Sequence, residues 1–552
     1  MTEKLKIIPL GGLNEIGKNM TVIEFGGDII VIDCGLAFPD EEMLGIDLVI
    51  PDITYLKKHK SRIRGIILTH GHEDHIGAIP YVLKAINVPI YCTKLTAGVI
   101  EARLLEHKMA DKVKINRRSP GDHIKLGCFD VEFINVNHSI ADSVALAITT
   151  PIGKVVHTGD FKIDATPVAG EMIDLARFGE LGKEGVLLLM SDSTNAERRG
   201  HTMSEKSVGE AFDVQFKNCD QRILIATFAS NVHRLQQIID VAAKYGRKVA
   251  ISGRSMENIL SVAMNLNYIT VPKGVLIELS SIGRYPKNKL CIITTGSQGE
   301  PMSALHRMAF SGHKQVEVGP GDRILIAASP IPGNEKSVYR LINELMKKGA
   351  DVVYERLAEI HVSGHACQEE LRTILALVKP KYFMPVHGEY RHLKNHAELG
   401  RQTSVEPKNI FIGDTGRVLE ITRQTAKFTG TVQTGYVLID GLGVGDVGNA
   451  VLRDRKHLAE DGLIIVAVTL DGSNGQVLAG PEIVSKGFIY VREAEPIMEE
   501  IKKIAGKSLE KCVKQRIKDW ATIKTTIKDD LSGFLYKKTK RSPLILPVIM
   551  EI

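Results

Sequence analysis

The chain has 552 residues, 44% apolar and 25% charged, with a net charge of +6 and seven cysteines. That length predicts about three domains, in a composition ordinary for a soluble globular protein. The cysteines are odd in number and scattered with no C-x-x-C, which excludes a disulfide framework and a thiolate zinc site, and no stretch reaches the roughly 18 apolar residues of a membrane span. The start of the chain has no apolar leader pattern, so the sequence reads as cytoplasmic with no membrane partner. The mild positive charge suits a nucleic-acid partner without requiring one.

Short β-branched runs at 29–33, 65–69, 89–92, 131–136, 154–157 and 186–190 predict strands over the first 200 residues, with polar side chains at their ends. From 204 to 359 longer strands, at 222–228, 248–252, 291–295 and 323–328, alternate with helices near 232–245 and 335–348. This pattern predicts a parallel α/β domain inserted into the first, to which segments at 382–386 and 390–398 return. The Gly-rich and then charged stretch 441–462 reads as a linker. Its Gly443-Val444-Gly445-Asp446-Val447-Gly448 meets G-x-G-x-x-G, but too few residues follow for a doubly wound sheet. Strands at 463–470 and 487–491, a helical stretch at 499–529 and an apolar run at 544–549 predict a small α+β module. Residues 496–552 carry 13 Lys or Arg against 7 Asp or Glu, which fits either nucleic-acid contact or a solvated face, while the terminal strand and amphipathic helix suit subunit assembly. The predicted division is therefore 1–204, 205–359, 360–440, 441–462 and 463–552.

One motif dominates the chemistry. His70-Gly71-His72-Glu73-Asp74-His75 follows an apolar strand and offers four ligands within six residues. Imidazole suits zinc and manganese, and carboxylate can bridge two ions. A solvated His-rich turn is the plainer alternative.

H-x-H-x-D-H resembles the hallmark of the metallo-β-lactamase superfamily. The resemblance implies an αββα sandwich and assigns further residues one by one. Asp33 matches the aspartate that buttresses the histidine loop, His138 a third-motif ligand, Asp160 a bridging carboxylate and His387 the distal ligand. It implies one cation on His70, His72 and His138, another on Asp74, His75 and His387, and Asp160 between them. The two cations would be zinc, or manganese or magnesium in its place, about 3.5–4 Å apart.

The inserted domain resembles the β-CASP cap of nucleic-acid-processing members, whose motifs match Asp192, His365 and His387. The whole run resembles the bacterial ribonuclease J family, including Gly11-Gly12 with Glu15 to Met20 and the turn Thr295 to Pro301. That family implies hydrolysis of single-stranded RNA, 5′-to-3′ from monophosphate ends and also internally, in mRNA decay and rRNA processing. It implies substrate contacts from His361, Val362, Ser363, Gly364 and His365, with Asp192 as proton donor and His365 as proton acceptor. The turn 296–301 is open to a phosphate-cradling role or none. A structural calcium at Gly45, Asp47 and Asp440 also rests on the resemblance, as does a homodimer or homotetramer, a paralogous ribonuclease J subunit or an RNA-degradation complex. Two other readings stand beside it. A small-molecule hydrolase would leave the inserted domain unexplained, and a non-catalytic scaffold would be marked by broken ligands, whereas all seven are intact.

Overall fold

The computed structural model describes residues 4–552 apart from 41, 218, 332, 356, 404, 473–474 and 490–494. By contact density the chain forms two units, one of residues 1–38 and 49–437, the other of 39–48 and 438–552.

In the larger unit two sheets face each other. One has eight strands, ordered Ala426–Thr431, Arg417–Ile421, Leu5–Gly11, Met20–Phe25, Asp28–Ile32, Ile63–Ile67, Ile90–Thr93 and Ile115–Arg118. The other has six, ordered Tyr382–Val386, Val186–Asp192, Gly153–His157, Val144–Thr150, Phe129–Asn135 and His123–Leu126. Side chains alternate across a strand, so neighbouring residues serve different layers. Val131, Phe133, Leu146 and Leu188 face inward to meet Ile7, Ile30 and Ile67 of the other sheet. Ile134, Ala147 and Leu189 face outward beneath Phe178 of helix Leu175–Glu184 and Ile374 of helix Gln368–Val378. This is an αββα sandwich.

The inserted domain carries five parallel strands, ordered Lys248–Ser252, Leu290–Thr294, Ile223–Ala226, Arg323–Ile326 and Asp351–Tyr354. Both faces are covered. Ile223, Val249 and Ile293 pack into one apolar layer, and Leu224, Ala250 and Ile292 into the other. Two-sided burial explains why these strands read as continuous apolar runs.

The smaller unit stacks helices Glu495–Lys514 and Trp520–Thr539 on a sheet ordered Val477–Lys486, Leu463–Leu470 and Leu544–Glu551. Two expectations need correction here. The strand expected at 487–491 lies upstream, at Val477–Lys486, while 487–489 form a bend and 490–491 fall outside the described residues. Gly480-Pro481 inside the true strand weakened its signal, whereas Gly487-Phe488-Ile489 has stronger β character. The single helical stretch at 499–529 is two helices, broken where Arg516 takes φ +53° and Asp519 caps the second through Thr522 N–H at 2.9 Å. The 441–462 stretch carries a helix, Asn449–Asp461, with no buried residue. Gly443–Val444 is a two-residue strand and the module's sheet has three strands, so no doubly wound sheet surrounds the G-x-G-x-x-G.

Truncating an inward-facing side chain should be costly and an outward one in the smaller unit cheap. Phe133→Ala should lose about 3–5 kcal/mol of unfolding free energy, whereas Val513→Ala, exposed on helix Glu495–Lys514, should stay within about 0.5 kcal/mol. Denaturant midpoints of both variants against wild type make the check.

Candidate metal centre and active site

The expected ligands collect where strands of the two facing sheets end. Strand Ile63–Ile67 leads to His70, and the short helix Glu73–Ile76, which begins just after His72, carries Asp74 and His75. His138 follows Phe129–Asn135, Asp160 follows Gly153–His157, and His387 follows Tyr382–Val386. Close backbone packing holds this loop down. A side chain on Gly35 would meet the Asp74 carbonyl oxygen at 1.6 Å, so glycine is needed where Cys34 N–H reaches the His75 carbonyl at 2.7 Å.

The expected ligands form two groups, each with its donor atoms within 4.8 Å of one another: His70, His72 and His138, then Asp74, His75, Asp160 and His387; a third such group, Asp160, Asp192, His365 and His387, overlaps the second. In the first, His72 Nδ1 lies 3.1 Å from both His70 Nε2 and His138 Nε2. In the second, His387 Nε2 is 3.3 Å from Asp74 Oδ2, and His75 Nε2 is 3.3 Å from Asp160 Oδ2. Asp160 Oδ2 also stands 3.7 Å from His70 Nε2 and 3.8 Å from His138 Nε2, and so touches both groups.

The far nitrogen of several rings is occupied. His138 Nδ1–H donates to the Gly364 carbonyl at 2.7 Å, and His75 Nδ1–H to Asp33 Oδ2 at 2.7 Å. His387 Nδ1–H donates to Thr194 Oγ1 at 2.6 Å, and that hydroxyl donates to Asp192 Oδ1 at 2.8 Å. With Nδ1 committed to these partners, Nε2 is the atom each ring turns toward the cluster. Lone pairs and carboxylates pointing at one another from short range are what divalent cations satisfy, and carboxylate- or carbonyl-anchored imidazoles are the usual support for such ligands. The donor set fits. Asp33 also accepts from Thr69 N–H at 2.8 Å, so it ties the histidine loop at two points. Asp33 and His387 sit at φ +61° and +56°, strained for non-glycine residues, as at many functional positions.

The two groups differ electrically. Burial, followed by the field of neighbouring imidazoles, holds His70 and His138 well below the ordinary histidine value, and burial lowers His72 to about 4. Burial also opposes charge on His75 and His387, but Asp160 and the other facing carboxylates outweigh it and raise both well above the ordinary value. Asp74 and Asp160 are depressed despite burial, because His75 and His387 stand beside them.

Beside the second group, Asp192 Oδ2 accepts from His365 Nδ1 at 2.7 Å. Burial disfavours both charges, yet the pairing lowers Asp192 and raises His365. Ser363 Oγ accepts from Asn195 Nδ2 at 2.8 Å and from His365 N–H at 3.2 Å. A side chain on Gly364 would meet the His138 ring at 2.7 Å. His361 turns elsewhere, with Nδ1 at 2.7 Å from Ser329 Oγ of the inserted domain, while burial and then the charges of Arg234, Arg198 and Lys162 push its pKa well down. The 296–301 turn braces that loop, since Gln298 bonds the Ser329 carbonyl at 2.9 Å and Ile331 N–H at 2.7 Å.

In the smaller unit, Asp47 Oδ2 accepts from Gly441 N–H at 2.7 Å. Arg455 bonds the Asp440 carboxylate, and its Nη1 lies 2.7 Å from where a Gly45 side chain would begin. Asp440 would share its charge between that guanidinium and any calcium. Sequence reading missed Thr69, Thr194 and Asn195. Only Thr69 adjoins a motif ligand, and the signal in the others, Ser-Thr-Asn after Asp192, is that of an ordinary turn.

Family models match four stretches: ribonuclease J β-CASP domain at 220–345, ribonuclease J C-terminal domain at 450–552, metallo-β-lactamase superfamily at 13–171, and Zn-dependent metallo-hydrolase RNA specificity domain at 349–412. The chain is 43% identical to ribonuclease J2 of Bacillus subtilis over 552 residues, covering 100% of this chain and 99% of that one. It is 44% identical to ribonuclease J of Thermus thermophilus, covering 100% and 96%, and 43% identical to ribonuclease J 1 of Streptococcus pyogenes, covering 99% and 97%. A crystal structure of a protein of unknown function from Enterococcus faecalis shares the fold, at TM-score 0.54 and 17% identity, over 76% of this chain and 100% of that one.

Protons and cations compete unequally for the two ligand groups. The facing carboxylates raise the proton affinity of His75 and His387, so a cation there competes with protons, whereas burial lowers that of His70, His72 and His138. Cation affinity of the Asp74–His75–Asp160–His387 group should therefore fall more than that of the three-histidine group when the solution is taken from mildly alkaline to mildly acidic pH. Chelator competition on metal-free protein at both pH values measures it. Equal slopes would contradict the assignment.

Proposed function

The chain belongs to the ribonuclease J family of metal-dependent ribonucleases, and on that premise we propose that it hydrolyses single-stranded RNA with two cations, zinc by donor preference. We further propose that it works 5′-to-3′ from monophosphate ends and also cuts internally, in cytoplasmic mRNA decay and rRNA processing.

His70, His72 and His138 would hold one cation, Asp74, His75 and His387 the other, with Asp160 shared. When bound, the cations supply Lewis-acid activation of water and neutralise charge on the phosphoryl oxygens. Asp33, Thr194 and the Gly364 carbonyl keep His75, His387 and His138 in the tautomers that present Nε2. The Asp192–His365 pair handles the proton. Asp192 would serve as proton donor and His365 as proton acceptor, and the 2.7 Å contact between Asp192 Oδ2 and His365 Nδ1 would let a proton pass within the pair.

One observation carries the 5′-end reading. A hydroxyl has two lone pairs and one O–H. Both lone pairs of Ser363 are engaged, by Asn195 and by His365 N–H, so its O–H is left to donate. A short step along the chain, His361 lies in the positive field of Lys162, Arg198 and Arg234. A compact phosphate dianion suits such a place, and a triphosphate overfills it. Ser363→Ala should therefore lower the ratio of monophosphate to triphosphate kcat/KM about tenfold, the effect of one lost charge-assisted hydrogen bond, while cutting of circular RNA changes less. An unchanged ratio would move the 5′ pocket elsewhere.

We also propose that the chain forms a homodimer or homotetramer through its C-terminal module. Leu546, Val548 and Met550 alternate along the exposed side of strand Leu544–Glu551, with Val484 exposed on another strand of the same sheet. Apolar rows on one sheet face commonly mark a subunit contact. Val548→Asp should lower the oligomeric mass in light scattering. Full mass with weaker, more salt-sensitive RNA binding would favour RNA contact by this module instead.

A further inference from the structure

Arg234, on helix Val232–Lys244 of the inserted domain, is 1% exposed. Its Nε and Nη2 donate to the two oxygens of Glu205 at 2.7 and 2.9 Å. The same guanidinium reaches two backbone carbonyls, Ala327 through Nη1 at 2.8 Å and Val362 through Nη2 at 3.4 Å. Those carbonyls are informative. Ala327 lies two residues before Ser329, and Val362 lies between His361 and Ser363. Ser329 and His361 are the pair joined at 2.7 Å.

Glu205 is itself fixed. Its N–H donates to Asp164 Oδ2 at 3.1 Å, and its carbonyl accepts from Gln237 Nε2 at 3.2 Å. Asp164 pairs with buried Lys162 at 3.4 Å, and Lys162 N–H donates to the Asn137 carbonyl at 2.8 Å, next to His138. A run of buried polar contacts thus leads from the loop bearing Asp160 to the 361–365 segment.

We propose that Arg234, clamped by Glu205, is the positioning residue that sets His361 and Ser363 at the spacing a 5′-phosphate requires, a reading that rests on the pocket proposed above. A buried ion pair is a weak source of stability, because desolvation offsets its attraction. Its distinctive capacity here is geometric. A planar guanidinium offers five donors in a fixed fork, enough to bind one carboxylate twice and two carbonyls at once. Lysine keeps the charge and cannot span those four acceptors. The two carbonyls belong to different segments of the chain, so Arg234 fixes the Ser329 loop against the 361–365 loop. Its charge, beside His361, also favours the neutral imidazole.

The test uses the full chain and hydrolysis-resistant 2′-O-methyl oligonucleotides with a 5′-monophosphate or a 5′-hydroxyl. Affinities are read by fluorescence anisotropy for wild type, Arg234→Lys, Glu205→Gln and Ser363→Ala, with melting temperatures alongside. Arg234→Lys should lose about tenfold of the preference for the phosphate end, with hydroxyl-end affinity falling far less. Glu205→Gln, which keeps the side-chain shape, should show the same loss in smaller degree and covers the case of Arg234→Lys failing to fold. A merely structural pair would lower the melting temperature and both affinities together. If Ser363→Ala loses the preference and the Arg234 and Glu205 variants keep it, the positioning role is wrong and the pocket stands. If no variant, Ser363→Ala included, alters the preference, the pocket reading fails and the positioning role with it.

Discussion

Imidazole lone pairs and carboxylates of the larger unit crowd together in a buried space, and the protein makes this tolerable by deciding where each proton goes. His75 gives its Nδ1 proton to Asp33, His138 to the Gly364 carbonyl, and His387 to Thr194. Every such bond turns Nε2 toward the cluster. The acceptors come from distant parts of the chain: Asp33 from an early strand end, Thr194 from just beyond strand Val186–Asp192, and Gly364 from the segment after the inserted domain. A site of this kind exists only when both sheets and the returning segment are in register. The strained backbone of Asp33 and His387 fits that dependence, since surrounding structure must hold such conformations.

The inserted domain gives the site its relation to a polymer. Its parallel sheet is buried on both faces and rigid for that reason, and it delivers Ser329 to His361. The segment that returns from it, 361–365, serves two structures within five residues. His361 and Val362 bond to the inserted domain, through Ser329 and Arg234, while Gly364 and His365 bond to the sandwich, through His138 and Asp192. A small-molecule hydrolase would have no use for that division. The intact ligand set likewise leaves the non-catalytic scaffold without its mark.

Legibility followed the range of the interactions. The strand runs at 29–33, 186–190, 248–252 and 382–386 were visible because burial dictates their composition, and each has a matching strand. The H-x-H-x-D-H run was visible because its ligands are local. His138, Asp160 and His387 could be assigned only by resemblance, since nothing in spacing tells a loop histidine from one whose far nitrogen meets a carbonyl 226 residues away. Polar supports such as Thr194, Asn195 and Arg234 were illegible for the same reason. In the C-terminal module, Gly480-Pro481 hid a true strand and a run of helix formers hid the break at Arg516. Both are cases where tertiary packing overrides local preference.

In the proposed centre seven side chains hold two cations, with Asp160 between them. Anomalous diffraction from crystals of the protein loaded with zinc or manganese, with data at the absorption edge, tests this most directly. Two peaks are predicted, one among His70, His72 and His138, the other among Asp74, His75 and His387, with Asp160 beside both. A single peak, or peaks away from these residues in a catalytically active preparation, would contradict it.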